Sequence, residues 1–72
     1  MTHNGYTNAD TYHVAATIDN IEPLYRAARE RPTERGIWLV YANNTKLFPT
    51  DINQSAVNWQ ELAGRYNTNE SE

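Results

Sequence analysis

Residues 20–32, which read NIEPLYRAARERP, decide the fold of this chain. Four apolar positions in this stretch follow the spacing of one helical face, and they are Ile21, Leu24, Tyr25 and Ala28. Asn20 is the predicted N-cap, because its side-chain oxygen can accept a free backbone N–H. Pro23 falls in the first turn, where a missing N–H does little harm. Pro32 then ends the helix. The stretch therefore predicts an amphipathic helix.

Two further helices are predicted, one before this stretch and one after it. The first begins at Asn8, with Asp10 in its first turn, and its apolar stripe consists of Thr11, Val14, Ala15 and Ile18. The last begins at Asn58, with Glu61 three residues later as in a capping box. Its stripe consists of Trp59, Leu62, Ala63 and Tyr66. Within the central helix, Glu22 and Arg26 are spaced to form an ion pair.

The segment between the second and last helices fits two structures. Residues 37–41 are five consecutive apolar residues, which is typical of a buried strand, and residues 43–45 could turn a hairpin back along residues 46–48. A lone hairpin is a marginal sheet in water, however, and Thr33 is a good N-cap followed by an acidic residue. We predict a third helix over residues 34–43, with a short hairpin around residues 37–48 as the alternative.

Length and composition indicate a single domain, residues 1–72, whose polar ends (1–6 and 67–72) are expected to fray. A chain this short has a marginal core, and it has no cysteine with which to form a disulfide. Eight aromatic side chains supply large apolar surfaces. The predicted fold is mainly α, a small bundle of three to four short helices, or α+β if the hairpin forms.

Composition also narrows the functional class. No apolar run approaches the roughly 18 residues that span a bilayer, and the start of the chain does not resemble a signal peptide. With no cysteine, the chain fits a reducing cytoplasm. The sequence contains no recognised nucleophile, phosphate-loop or zinc motif, and its two histidines, His3 and His13, read as surface residues. We therefore expect neither catalysis nor a metal or cofactor.

Charged residues suggest two candidate binding surfaces. A basic cluster consists of Arg26, Arg29, Arg31 and Arg35, and with Trp38 and Tyr41 nearby it could contact a nucleic acid. The interleaved Glu30 and Glu34 favour a solvated helix face instead. The acidic residues expected to meet a basic partner surface are Asp10, Asp19, Glu22, Glu30 and Glu34. The net charge of −3 is too small to indicate DNA mimicry and has the wrong sign for a general nucleic-acid binder.

Two parts of the chain resemble a family of small, largely uncharacterised bacteriophage and plasmid proteins. Those proteins open with Asn-Gly-Tyr, Asn, Thr-Trp-Asn-Val and Asn-Asp-Glu-x-Leu-Tyr, and the matching residues here are Asn4, Gly5, Tyr6, Asn8, Thr11, Val14, Asn20, Glu22, Leu24 and Tyr25. The segment 57–63 is similar to their closing Val-x-Trp-x-Glu-Ile-Ala. Tyr12, Ile21 and Pro23 depart from the pattern. The resemblance implies a mobile-element origin and carries no active site.

These observations lead to one functional hypothesis and two alternatives. The leading hypothesis is a phage- or plasmid-encoded accessory protein that binds and inhibits a host protein or nucleoprotein complex, such as a CRISPR or restriction nuclease, by blocking its surface. The first alternative is a small nucleic-acid-binding regulator that uses the basic cluster. The second is a structural subunit that associates with copies of itself through exposed rings.

Overall fold

The structure, a computed structural model, describes residues 5–67 and consists of four α-helices and one 3-10 turn. In chain order the helices are α1 (Ala9–Asn20), α2 (Glu22–Glu30), α3 (Glu34–Ala42) and α4 (Trp59–Tyr66), with the 3-10 turn (Thr45–Leu47) between α3 and α4. The predicted helical bundle is confirmed. None of these four helices is long and apolar enough to cross a membrane. Fraying is predicted for residues 1–6 and 67–72, and of these the structure describes only residues 5, 6 and 67. His3 also lies outside the described residues.

The predicted N-caps of α1, α3 and α4 are confirmed. The Asn8 Oδ1 accepts the Thr11 N–H at 2.8 Å, the Thr33 Oγ1 accepts the Gly36 N–H at 2.9 Å, and the Asn58 Oδ1 accepts the Glu61 N–H at 3.0 Å. Each satisfies a backbone donor that has no partner within its own helix.

The predicted cap of α2 is wrong. Asn20 is the last residue of α1, and the N-cap of α2 is Ile21, whose side chain makes no capping hydrogen bond. A polar cap has little to bind here, because Pro23 lacks an N–H and the Leu24 N–H already donates to the Ile21 carbonyl at 2.9 Å. A single extended residue therefore joins the two helices.

Residues 34–42 are helical, so the hairpin alternative is wrong. Within α3, Ile37 and Val40 turn into the core, and Tyr41 packs partly buried against it. In the hairpin alternative, residues 46–48 would form the second strand. In the structure, residues 45–47 form the 3-10 turn and Phe48 follows it. Phe48 is 3% exposed, and its ring packs edge-on against Tyr41 with the ring centroids 5.0 Å apart. Residues 5–67 contain no β-sheet. The Thr33 cap and the helical spacing of the buried residues decide this segment.

The core lies where the apolar faces of the four helices meet. Its buried hydrophobic residues are Val14, Ala15, Ile18, Leu24, Ala28, Ile37, Val40, Phe48, Val57, Leu62 and Tyr66. The predicted stripes of α1 and α4 face this core. Tyr25 differs, because its ring remains 37% exposed while packing edge-on to Tyr66. This arrangement leaves Tyr25 of α2 and Trp38 of α3 as the aromatic rings most exposed at the surface of the described chain.

The starts of α1 and α4 interlock through polar groups that we call the cap junction, Asn8, Thr11 and Asn58. Thr11 is completely buried; its hydroxyl donates to the Asn8 Oδ1 at 2.7 Å and accepts the Asn58 N–H at 2.9 Å. The Asn8 side chain also donates to the Ala56 carbonyl at 2.8 Å. Glu61 therefore does not complete the predicted capping box, since the Asn58 N–H already has a partner.

Candidate functional site

Two surfaces of the described chain combine aromatic rings with fixed polar groups. The first, the aromatic face, is formed by Trp38, Tyr41, Gln54 and Trp59. The second, the tyrosine cleft, is an open depression of about 750 Å³ lined by Gly5, Tyr6, Tyr12, Ala16, Asp19, Asn20, Glu61 and Arg65. The two surfaces share α4, but the aromatic face adds residues of α3 and the cleft adds residues of α1, and their chemistry differs.

The aromatic face is held together by one glutamine. The Trp38 indole N–H donates to the Gln54 side-chain oxygen at 3.0 Å, and the Trp59 indole N–H donates to the Gln54 backbone carbonyl at 3.2 Å. Tyr41 lies against Trp59, with the ring centroids 5.8 Å apart. Trp38 remains 38% exposed even though its indole N–H is bound. The aromatic face thus exposes to solvent a tryptophan whose position is already fixed by a hydrogen bond.

The tyrosine cleft is built around an arginine. The Arg65 Nη2 lies 2.7 Å from the Asp19 Oδ2, and the Tyr66 hydroxyl donates to the Asp19 Oδ1 at 2.9 Å. The Arg65 guanidinium also lies 5.6 Å from the centroid of the Tyr6 ring and 5.7 Å from that of Tyr66. These contacts join α1, α4 and residues 5–7 around the cleft.

The start of the described chain forms the end of this cleft. The Thr7 N–H donates to the Glu61 Oε1 at 3.0 Å, and the Asn58 Nδ2 donates to the Thr7 Oγ1 at 3.2 Å. Gly5 has a positive φ of 88°, a conformation that side-chain-bearing residues rarely adopt. The turn at Gly5 leads into Tyr6, whose ring packs against the core and beside Tyr12.

The pKa values of three groups in and beside the cleft, Tyr6, Arg65 and Tyr66, are raised. Burial, followed by the hydrogen bond to Asp19, raises the pKa of Tyr66 well above its usual value of about 10. Burial likewise raises the pKa of Tyr6, although the nearby Arg65 opposes the shift. The hydrogen bond to Asp19 raises the pKa of Arg65 further. Both tyrosines are thus neutral hydroxyls at neutral pH, and Arg65 is a cation.

The raised pKa of Tyr66 predicts a loss of stability in alkali. Above about pH 10 the unfolded chain releases the tyrosine proton while the folded chain retains it, so the free energy of unfolding falls as pH rises. We expect the urea midpoint to be unaffected by this tyrosine at about pH 8 and to fall as the pH rises from about 10 to about 11. Tyr66→Phe should cost about 1 kcal/mol at neutral pH and show a smaller alkaline drop. An equal drop in both proteins would contradict this assignment.

The predicted acidic residues are distributed over several parts of the surface. Asp19 lies in the tyrosine cleft and is bound to Arg65 and Tyr66. Glu22 and Glu30 line a shallow groove along α2, where Glu22 forms the predicted ion pair with Arg26 at 2.7 Å. Asp10 is half-buried, with its Oδ1 3.5 Å from the Asn53 amide nitrogen, and Glu34 is exposed in the first turn of α3. The structure therefore brings Glu22 and Glu30 to one groove and places Asp19 in another.

The predicted basic cluster is exposed but partly engaged. Arg26 is bound to Glu22, and the Arg29 Nη1 donates to the Tyr25 hydroxyl at 2.9 Å, with the guanidinium 5.7 Å from the ring centroid. Arg31 and Arg35 are exposed at the junction of α2 and α3. Two of the four arginines thus have partners on their own helix, as expected for a solvated helix face.

Several residues of both surfaces were not among the predicted site residues. Gln54 lies outside every helix, and its contact with Trp38 spans 16 positions. Arg65 reaches Asp19 across 46 positions. The spacing of four between Glu61 and Arg65 could have indicated a shared helical face. Nothing local, however, indicated which part of α1 that face would meet.

Both surfaces offer aromatic rings and polar groups to a contacting molecule. Among residues 5–67, no three His, Asp or Glu side chains come close enough together to hold a metal ion. Fixed rings and paired charges provide shape and hydrogen-bonding groups to a partner.

In comparisons with known proteins, no protein-family model, no curated protein and no solved structure matches the chain.

Proposed function

We propose that this chain is a phage- or plasmid-encoded accessory protein that binds a host protein and inhibits it by covering a surface, without catalysis. The observation that carries the proposal is the aromatic face, where Trp38 is exposed and yet held by Gln54. Tryptophan and tyrosine dominate the energetics of protein interfaces, because they combine large apolar area with polar groups.

The fixed geometry of this face favours tight binding. Ordering a side chain on association costs roughly 0.5–1.5 kcal/mol, and a side chain already held in place avoids much of that cost. Trp38 is held by the Gln54 side chain, and Tyr41 is packed between Phe48 and Trp59. A small protein with few contacts to offer gains most from anchors of this kind.

Charge indicates the class of target. The chain carries a net charge of −3, and Glu22, Glu30 and Glu34 are exposed. Acidic surfaces associate fastest with basic ones. Nuclease complexes that defend the host against mobile elements hold nucleic acid in basic grooves, and the resemblance to phage and plasmid proteins supports a target of this class. We therefore propose a CRISPR or restriction nuclease complex as the host factor.

The test compares two equally exposed rings. Trp38 is 38% exposed on the aromatic face and Tyr25 is 37% exposed on α2, so Trp38→Ala and Tyr25→Ala remove similar surface from different places. The tagged protein is used to isolate its partner from host lysate, and affinity and inhibition are then measured with the purified partner. Trp38→Ala should weaken binding by about tenfold or more, a loss typical of an interface anchor, and Tyr25→Ala by less than about twofold.

Other outcomes of the same experiment would contradict the proposal. Equal losses in the two variants, with far-UV circular dichroism showing both folded, would remove the aromatic face as the anchor. A captured protein whose activity is unaffected by the wild-type chain would rule out inhibition. Sedimentation at increasing protein concentration shows whether the face joins copies of the chain instead. A steeply salt-dependent shift of DNA or RNA would favour the basic cluster.

A further inference from the structure

The chemistry of the tyrosine cleft suits a flat cation. We infer that the cleft receives an arginine side chain of the partner protein, an inference that rests on the proposed function and names how the partner is recognised. Three properties of the cleft carry the inference: its shape, the guanidinium already seated in its wall, and its remaining charge.

The shape of the cleft provides room for a long side chain. Tyr12, Ala16 and Asp19 lie along one face of α1, since they are four and three residues apart. The small side chain of Ala16 stands between the two larger ones and leaves the depression of about 750 Å³ open above it. Glu61 and Arg65, one turn apart on α4, form the opposite side. An extended side chain could therefore enter between the two helices.

The wall of the cleft already shows how a guanidinium is held. Arg65 lies 5.6 Å from the Tyr6 ring centroid, and its Nη2 is 2.7 Å from the Asp19 Oδ2. A planar cation over an aromatic face, paired with a carboxylate, is the arrangement that guanidinium groups favour. Tyrosine and carboxylate in this cleft are thus compatible with arginine.

A further tyrosine and a further carboxylate, Tyr12 and Glu61, also line the cleft. The Tyr12 ring lies 6.0 Å from the Tyr6 ring, is tilted by 51° to it and lies 5.4 Å from the His13 ring, and both tyrosines line the cleft. Glu61 uses its Oε1 for the Thr7 N–H, and the hydrogen bonds of residues 5–67 leave its Oε2 for an incoming donor. Tyr12 and Glu61 would then play the parts that Tyr6 and Asp19 play for Arg65.

The remaining charge selects a cation over an anion. Arg65 and Asp19 neutralise each other, which leaves the carboxylate of Glu61 as the net charge of the cleft, within a chain of net charge −3. A phosphate would meet an arginine that is already paired, next to a carboxylate that repels it. Arginine fits better than lysine, because its flat guanidinium can stack on a ring while donating to a carboxylate.

The experiment uses the full chain and a blocked arginine, N-acetylarginine amide, with the citrulline analogue as its uncharged match. Amide resonances of the ¹⁵N-labelled protein, including those of Gly5, Ala16 and Glu61, should shift saturably with the arginine probe. The citrulline probe should produce no saturable shift. Equal responses to the two probes would overturn the inference.

A pair of variants assigns the site to the cleft. Glu61→Gln retains an oxygen for the Thr7 N–H but removes the charge, so the arginine probe should bind about tenfold more weakly, as expected for loss of a charge-assisted hydrogen bond. Asp51→Asn removes one negative charge from an exposed position outside the cleft and should leave the affinity unchanged. If the Glu61 variant bound the probe as tightly as the wild type, the cleft would not be the site.

The two proposals fail in different ways. If the arginine probe binds and no host protein is inhibited, the proposed function is wrong while the cleft remains an arginine site. If a host protein is inhibited and Glu61→Gln inhibits it equally well, the aromatic face alone accounts for binding and the inference about the cleft is wrong.

Discussion

Gly36→Ala is expected to lower the free energy of unfolding by about 3 kcal/mol or more, the upper end of what overpacking costs. A Cβ at position 36 would overlap the Arg31 carbonyl oxygen and lie 2.9 Å from the Arg31 Cβ. Two atoms cannot approach so closely, so the backbone must move. A domain of this length has a total stability of only about 4–10 kcal/mol.

The movement cannot be confined to one contact. The Arg31 carbonyl that the new Cβ would strike also accepts the Thr33 N–H at 2.8 Å, and the Gly36 N–H donates to the Thr33 Oγ1 at 2.9 Å. Displacing either side therefore disturbs the turn before α3 and its N-cap together. Since Ile37 follows directly and is fully buried, the shift would also reach the core.

Gly64→Ala is the matched control. Gly64 lies inside α4, and a Cβ built there has no neighbour within 4 Å outside its own helix. The same substitution should therefore stabilise the protein by about 0.5–1 kcal/mol, because alanine favours a helix more than glycine does. Urea denaturation followed by far-UV circular dichroism measures both. Two variants that shift the midpoint in the same direction would contradict the close approach at Gly36.

Features set by neighbouring residues could be predicted from the sequence. Asn8, Thr33 and Asn58 cap helices because a side-chain oxygen meets an N–H three residues later, which depends on local geometry alone. The choice of helix over hairpin for residues 34–42 followed from the same rule. The predicted Asn20 cap is wrong because Pro23 has no backbone N–H for a capping side chain to accept. Here a neighbouring residue overrides the capping preference.

Features that join distant parts of the chain could not be predicted in this way. Asp19 was expected to meet a partner, but Arg65 binds it across 46 positions. Gln54 orders the aromatic face although no periodicity marks the loop in which it lies. Helical spacing shows which residues share a face, but the packing of α1 against α4 decides which faces meet. The candidate surfaces thus required the structure, whereas the helices largely did not.

The cap junction is where that packing should be most sensitive to a single polar atom. Thr11→Val is expected to lower the free energy of unfolding by about 2–3 kcal/mol, because it removes two hydrogen bonds and leaves the Asn58 N–H without its acceptor. Valine matches threonine in shape, so the core around position 11 should keep its packing. The loss is expected to come from the polar atom.

Thr11→Ser provides the matched control, since it retains the hydroxyl and removes one methyl group, at a cost of about 1 kcal/mol. Urea denaturation should rank the wild type first, serine second and valine last, and hydrogen exchange at the Asn58 amide should accelerate in the valine variant alone. The reverse order of serine and valine would mean that Thr11 acts through its methyl group. In that case the starts of α1 and α4 would be joined by apolar packing rather than by the shared hydroxyl.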